Sequence, residues 1–434
     1  MLPFPVGINT IFAREAGERV SGSRVLYVSS AIGLGHFSKD LAIANELRAL
    51  RPDVDMVWLA GHPASDALAD AGEAVLPEAE GWRSATVIAE NTLRDGQIDL
   101  VHYAYRSLSA WAHNARLFKR VVQTHGFDLA VGDEAWEISL VLTTGLLRLK
   151  IPFVLVLDFI GLDVMKASLL ERILAYPLNA DATYYGWKNR NGPHSGIFIG
   201  ELEDLADEPI GWGLPNKREH ARKYYDVVGH VISFHPEEYR DRAAWRRRLG
   251  YDDRPLVICS VGGTTVGREL LELCGRAVEP LRKRLPDVHM VLVCGPRLPV
   301  ESVQVPEGVE VRGYVPRLYE HHACADAAVG QCGASSTTEL AALRTPFVYF
   351  PIEGHFEQEV VAARLARVGA GVRMTLSETT PEMLAERICA EYGREPTYPP
   401  LPVDGARRAA QHLVRMLETG EGQRTSHIAT SGES

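Results

Sequence analysis

The chain is poor in cysteine, with six in 434 residues, at 259, 274, 294, 324, 332 and 389. All fall in the second half and none forms a C-x-x-C pair. This excludes a disulfide framework and a cysteine-rich metal site; buried reduced thiols follow, with a cytoplasmic compartment as the default. Long hydrophobic runs are also missing. The longest, Ile151 to Leu157, stops at Asp158, well short of the roughly 18 apolar residues of a membrane span. No stable membrane insertion is expected. Arg14, Glu15, Glu18 and Arg19 stand where a signal peptide would carry its apolar core, so no secretion signal is read. Positive charge is in deficit, 46 basic against 56 acidic side chains, for a formal charge of −10. That balance argues against nucleic acid as a partner.

What remains is the composition of a soluble globular protein, too long for one ordinary core. Short apolar segments alternate with amphipathic ones, the pattern of a doubly wound α/β protein. Strands are expected at Val25–Ser29, Met56–Leu59, Leu129–Val131 and Phe153–Leu157, with a long helix at Leu100–Thr124. The stretch from Tyr184 to about Asp253 reads as irregular. A second series follows at Leu256–Ser260, Met290–Cys294, Val309–Arg312, Ala327–Val329, Phe347–Phe350 and Gly371–Arg373. Two α/β series imply two Rossmann-like domains with a ligand in the cleft between them. The expected division is a mobile N-terminus over 1–22, a first domain over 23–235 and a second over 236–400. A C-terminal helix over 401–418 and a disordered tail over 419–434 complete it.

Val329 to Gln358 holds the densest chemistry. An apolar strand runs into Gly330-Gln331-Cys332-Gly333, and a helix opens through Ala334, Ser335 and Ser336. Free N–H groups and the helix dipole make that corner an anion site. Glu339, one turn further on, can accept two vicinal hydroxyls such as those of a ribose. Glu357-Gln358, closing the next polar loop, can bind sugar hydroxyls. Phosphate, ribose and sugar sites in that order describe a nucleotide-sugar pocket. The plainer reading is a capping box, Ser336-Thr337-Thr338-Glu339, followed by a solvated loop. Each half also opens with a glycine turn: Gly33-Leu34-Gly35-His36, and Gly262-Gly263-Thr264-Thr265-Val266-Gly267-Arg268. Neither is a dinucleotide fingerprint or a Walker loop.

In these motifs the chain resembles the GT-B nucleotide-sugar glycosyltransferases, the group holding the UDP-glycosyltransferases and the lipid II-forming N-acetylglucosamine transferase. Gly35-His36 matches that family's first-domain G-H turn, and Gly262 to Arg268 is similar to its G-G-S-x-G-A-R turn. Gln331 to Glu339 resembles the H-C-G-W-N-S-x-x-E core of the UDP-sugar signature, and Glu357-Gln358 its D/E-Q end. Gln331 stands where many members have His, Ala334 where they have Trp, Ser335 for Asn and Glu357 for Asp. The resemblance implies a donor site of Gly35, Gly263, Thr264, Val315, Gln331, Gly333, Ala334, Ser335, Ser336, Glu339, Glu357 and Gln358. The base of the nucleotide then lies on the loop Gly313 to Pro316.

A transferase of this kind needs a deprotonated acceptor and a stabilised departing diphosphate. His36 suits a general base. Its orienting partner in the family follows a P-D-x-x-V-x-D strand, which Phe127 to Asp133 reproduces, nominating Asp133. Asp158 and Asp163 are further carboxylates at a strand end. The reading is therefore an inverting, metal-independent transfer of a hexose-type sugar from a UDP-sugar to a hydroxyl of a soluble small molecule. It requires no cofactor, no nucleic acid and no metal, and it is compatible with a homodimer. A nucleotide-sugar epimerase of the same fold is the rival, to be betrayed by carboxylates crowded at the sugar. A non-catalytic nucleotide-sugar-binding protein is the third reading.

Overall fold

The computed structural model describes residues 22–29, 34–84, 93–94, 97–98, 100–161, 169–181, 194–262, 267–353 and 355–419. The expected mobile N-terminus, all but its residue 22, lies outside them. So do the tail from residue 420, Gly33, Asp163 and the turn residues Gly263, Thr264, Thr265 and Val266.

Two parallel six-stranded sheets organise the chain. The first consists of β1 (Arg24–Ser29), β2 (Asp55–Ala60), β5 (Leu129–Asp133), β6 (Phe153–Leu157), β7 (Ser195–Ile199) and β8 (Tyr225–Gly229). A two-stranded antiparallel pair, β3 (Leu93–Arg94) and β4 (Gln97–Ile98), stands apart. The sheet order is β2-β1-β5-β6-β7-β8. The second sheet consists of β9 (Leu256–Ser260), β10 (His289–Val293), β11 (Glu310–Arg312), β12 (Ala327–Gln331), β13 (Phe347–Phe350) and β14 (Val372–Arg373). Its order is β11-β10-β9-β12-β13-β14. The architecture is α/β with two doubly wound layers. In each sheet the strand order reverses once, between β1 and β5 and between β9 and β12. Ligands of open α/β sheets bind at the carboxyl ends of strands at such reversals.

The inner strands are apolar along their whole length because helices cover both faces. Leu26, Val28, Leu155 and Phe198 pack on one face of the first sheet; Val25, Tyr27, Val154 and Ile197 pack on the other. Helix Gly405–Thr419 closes that second face with Ala406, Ala409, Ala410, Leu413 and Met416, against Ile43 and Leu47 of helix Leu34–Leu50. Its buried His412 bonds Ser195 Oγ at 2.7 Å and Asp226 Oδ2 at 3.0 Å. The second sheet is filled by Val257, Cys259, Leu271, Leu292 and Val329 on one side and by Phe347, Tyr349 and Leu365 on the other. All six cysteines are unpaired, five of them buried. Among the described residues no helix is long and apolar enough to cross a membrane.

Three expectations need correction. The middle of the chain is not irregular throughout, for β7 and β8 lie in it and complete the first sheet. Gly196, Gly200 and Gly229 hid them; Gly200 and Gly229 have φ of 133° and 84°, which end each strand abruptly. β12 runs on through Gln331, paired with Phe350, so the turn after it is only Cys332-Gly333. Glu357 and Gln358 do not close a loop but occupy the first turn of helix Phe356–Val368.

Candidate active site

At the reversal of the first sheet, register sets Ser29 beside Asp133, and Asp133 beside Val156. Three adjacent strands thus present their ends together. Helix Leu34–Leu50 lies over them. Its buried stripe is apolar at Ile43 and Leu47, but one turn earlier it carries His36, Lys39 and Asp40, all buried. Ionisable groups continuing a core stripe are costly unless paired, and here they are. His36 Nδ1 stands 3.0 Å from Asp133 Oδ2. Lys39 Nζ donates to Asp158 Oδ2 at 2.5 Å. Asp40 accepts from Tyr27 Oη at 2.9 Å and Ser29 Oγ at 2.7 Å. Glu134, directly after β5, sets Oε1 3.9 Å from His36 Nε2.

These charges fix one another. Burial and the Lys39 ammonium pull His36 down, but the carboxylates of Glu134 and Asp133 outweigh them and carry it up to about 10. Burial pushes Glu134 and Asp40 well above the usual carboxyl range. Asp158 is driven below it, the Lys39 ammonium overcoming the burial that opposes this. The His36 imidazole faces Asp133, and the Lys39 ammonium faces Asp158. One ligand atom each of His36, Glu134 and Asp158 lies within 4.8 Å of the others. The Lys39 ammonium already supplies the cation on Asp158, so the trio does not suit a metal ion.

Across the cleft, the reversal of the second sheet brings Gly262 and Gln331 together, with Gly262 N donating to Gln331 Oε1 at 3.2 Å. Gln331 is thereby oriented by the first residue of the glycine turn. Helix Ala334–Leu343 is capped by Gly333, with no side-chain cap. Ser336 lies inside it, so the capping-box alternative is not formed. Ser335 reaches the other domain, its Oγ donating to Gly35 O at 3.1 Å. Glu339 is half-buried, and burial alone pushes its carboxyl up to about 8. Gln358 is buried and accepts from Ile352 N at 2.8 Å, while Glu357 shares a pocket with Asp158, Phe159, Ala334, Val360, Val361 and Arg364. Val315 turns inward against the Leu256 and Val293 side of the sheet, leaving Tyr314 exposed.

The structure therefore brings His36, Asp133, Gly35, Ala334, Ser335 and Glu357 to one cleft. Ser336, Glu339 and Gln331 belong to its second-domain wall, while Val315 lies off the edge strand β11. Lys39, Asp40 and Arg364 were not nominated from sequence; Lys39 and Asp40 follow His36 at i+3 and i+4, and that spacing was their signal. Near helix Leu100–Thr124, Trp82 is a core residue and His113 lies 2.9 Å from Gly81 O. The side chains of His102, Tyr103 and Tyr105 lie outside the described residues.

A further polar group joins the domains behind the cleft. Arg367, on the helix that begins with Glu357-Gln358, donates to Asp204 Oδ1 at 2.6 Å and Glu201 Oε2 at 2.8 Å. Arg364 Nε lies 3.3 Å from Asp204 Oδ2, and Asp204 is almost wholly buried.

Comparison with known proteins agrees with this geometry. Residues 257–398 match the Glycosyltransferase family 28 C-terminal domain. An uncharacterized glycosyltransferase of Methanopyrus kandleri is 31% identical over 193 residues, 44% of this chain and 54% of that protein. The match thus spans about half of that relative's length. The UDP-N-acetylglucosamine--N-acetylmuramyl-(pentapeptide) pyrophosphoryl-undecaprenol N-acetylglucosamine transferase of Mycolicibacterium vanbaalenii is 24% identical over 407 residues, 90% of each chain. The crystal structure of the kitacinnamycin glycotransferase superposes with a TM-score of 0.58 at 17% identity, over 93% of this chain and 97% of that one. A glycosyltransferase from Streptomyces nogalater gives 0.56 at 16% identity, over 92% and 98%. The chain has the GT-B fold, and its second sheet and the helices around it match the glycosyltransferase family 28 C-terminal domain.

Proposed function

We propose that the chain is an inverting glycosyltransferase that moves a hexose-type sugar from a UDP-sugar to a hydroxyl of a soluble small molecule. The observation that carries this reading is the His36–Asp133 pair at one sheet reversal, facing the Gln331 corner at the other. The diphosphate lies at the start of helix Ala334–Leu343, where Ser336 and free backbone N–H groups receive the charge that develops as it leaves. Glu339 takes the ribose hydroxyls, Glu357 and Gln358 the sugar. Asp133 holds Nδ1 of His36, so Nε2 faces the cleft. Because the imidazole is protonated at rest, it becomes a base only after losing that proton, and turnover rises with pH through the alkaline range. One base and no protein nucleophile on the far side imply a single displacement with inversion. The helix N-terminus supplies the positive potential at the diphosphate, so no divalent cation is invoked. The domain limits at 235 and 400 and a cytoplasmic setting belong to the same proposal.

One observation favours the epimerase reading: Asp133, Asp158 and Glu357 all lie close enough to act on Glu134. The two separate in one experiment. UDP-sugars are incubated with and without an acceptor panel, and UDP release and sugar identity are followed. Acceptor-dependent UDP release with a new glycoside supports transfer; a changed sugar still on UDP without acceptor supports epimerisation.

A further inference from the structure

At the end of β5 the chain does something expensive. Glu134 has a φ of 46°, in the left-handed region that costs a residue with a Cβ of order 1–3 kcal/mol in settings like this. The surroundings hold it there: its N–H donates to Val156 O at 3.0 Å, and its carbonyl accepts from Trp136 N at 2.8 Å. Its side chain is thereby set against His36. Asp133 occupies Nδ1 of that ring, and Glu134 Oε1 stands 3.9 Å from Nε2, buried and without a hydrogen-bond donor. At 3.9 Å the two atoms do not bond each other. A single oxygen placed between them reaches both at about 2.8 Å, an ordinary hydrogen-bond length.

We propose that Glu134 is a second catalytic residue, which with His36 Nε2 forms a two-point cradle for the acceptor hydroxyl and shares the proton that hydroxyl gives up. The proposal rests on the transfer reading above. The groups facing the pair are Tyr27 from β1, Lys39 and Asp40 from helix Leu34–Leu50, Asp133 from β5, Asp158 beyond β6 and Glu357 from helix Phe356–Val368. Before transfer the imidazolium has released its Nε2 proton to solvent. The acceptor O–H bond then breaks and its proton goes to the pair, while the acceptor oxygen's electrons form the bond to the anomeric carbon. The bond from that carbon to the diphosphate breaks, and its electrons leave with UDP.

Two substitutions test this. Glu134→Gln keeps the shape but cannot share the proton. The His36 imidazole, followed by NMR without substrate, is expected to titrate about one unit or more lower. Turnover is expected to fall by roughly 10²-fold. Glu134→Gly removes the Cβ that the left-handed turn strains, so it is expected to raise Tm while lowering turnover to a similar degree. An unmoved His36 titration, or near-normal turnover in both variants of an active wild type, overturns the role of Glu134 alone. Absence of transfer by the wild type overturns the transfer reading instead, whatever the titration shows.

Discussion

Ser335 donates its hydroxyl to the carbonyl of Gly35, the residue before His36, at 3.1 Å. A residue of the second domain thus touches the first turn of the helix that carries His36. A Cβ on Gly35 would fall 2.8 Å from Ser335 Oγ. Gly35→Ala should therefore push the two domains apart at this contact and lower kcat/KM about tenfold, or ~1.4 kcal/mol. Adding Ser335→Ala should restore most of the loss, because the obstructing oxygen is then gone. Steady-state kinetics on the two single variants and the double variant would show it; strictly additive losses would mean the contact does not couple the domains.

The proposed role of His36 as base can be checked without any substrate. His36 is carried up to about 10 from an ordinary 6.5, lowered by burial and raised more by Glu134 and Asp133. A group raised in the folded state stabilises fully below its unfolded value and loses that contribution as pH rises through the folded one. The stability difference between the wild type and His36→Gln should hold below pH 6.5 and shrink as the pH approaches about 10. Each unit of separation is worth ~1.4 kcal/mol. Paired melting curves across that range would reveal a constant difference if the imidazole is not protonated in the fold.

Glu339 makes the opposite kind of prediction, about ligand. Its carboxyl is pushed up to about 8 by burial, so near pH 6 it is protonated, and ribose hydroxyls prefer the ionised form. UDP affinity should rise with pH and level off above about 8, with a proton released on binding below that. Glu339→Gln should flatten the dependence and weaken binding at pH 8.5 by roughly 1.5–3 kcal/mol, the worth of a hydrogen bond to a charged group. Calorimetry in two buffers of different ionisation heat reads both quantities.

How far these residues were legible depended on what announced them. His36 and Asp133 stand in motifs, the G-H turn and the D-x-x-V-x-D strand, and could be named one by one. Lys39, Asp40 and Arg364 stand in none. The first helix was read from its apolar face at Ile43, Leu47 and Leu50, and a buried Lys–Asp pair looks in sequence like a solvated turn. The first turn of helix Phe356–Val368 was read as the end of a loop because His355 gives it no side-chain N-cap and Gly354 precedes it. β7 and β8 were lost to their glycines. Periodicity reports what water is excluded from, but not which ionisable groups a partner distant in sequence has neutralised.

Asp204 is the clearest case of such a partner. It is nearly inaccessible and faces Arg367, Arg364 and, at 3.8 Å, His230. Asp204→Asn would leave the buried Arg364 guanidinium without its counter-charge, and loss of a buried partner costs roughly 3–5 kcal/mol. Thermal unfolding should show a large drop in Tm. Donor KM should worsen as well, since the same helix begins with Glu357 and Gln358. An unchanged Tm would mean the domains do not need this bond.

The central claim is that His36 removes the acceptor's proton in a sugar transfer. Its most direct test is single-turnover transfer from a UDP-sugar by the wild type and by His36→Ala, with the variant's UDP binding measured alongside. The account predicts that binding is nearly intact, that the transfer step slows by roughly 10²–10⁴-fold, and that the wild-type glycoside has the inverted anomeric configuration. Near-normal transfer by His36→Ala, or a product that keeps the donor's configuration, would contradict it.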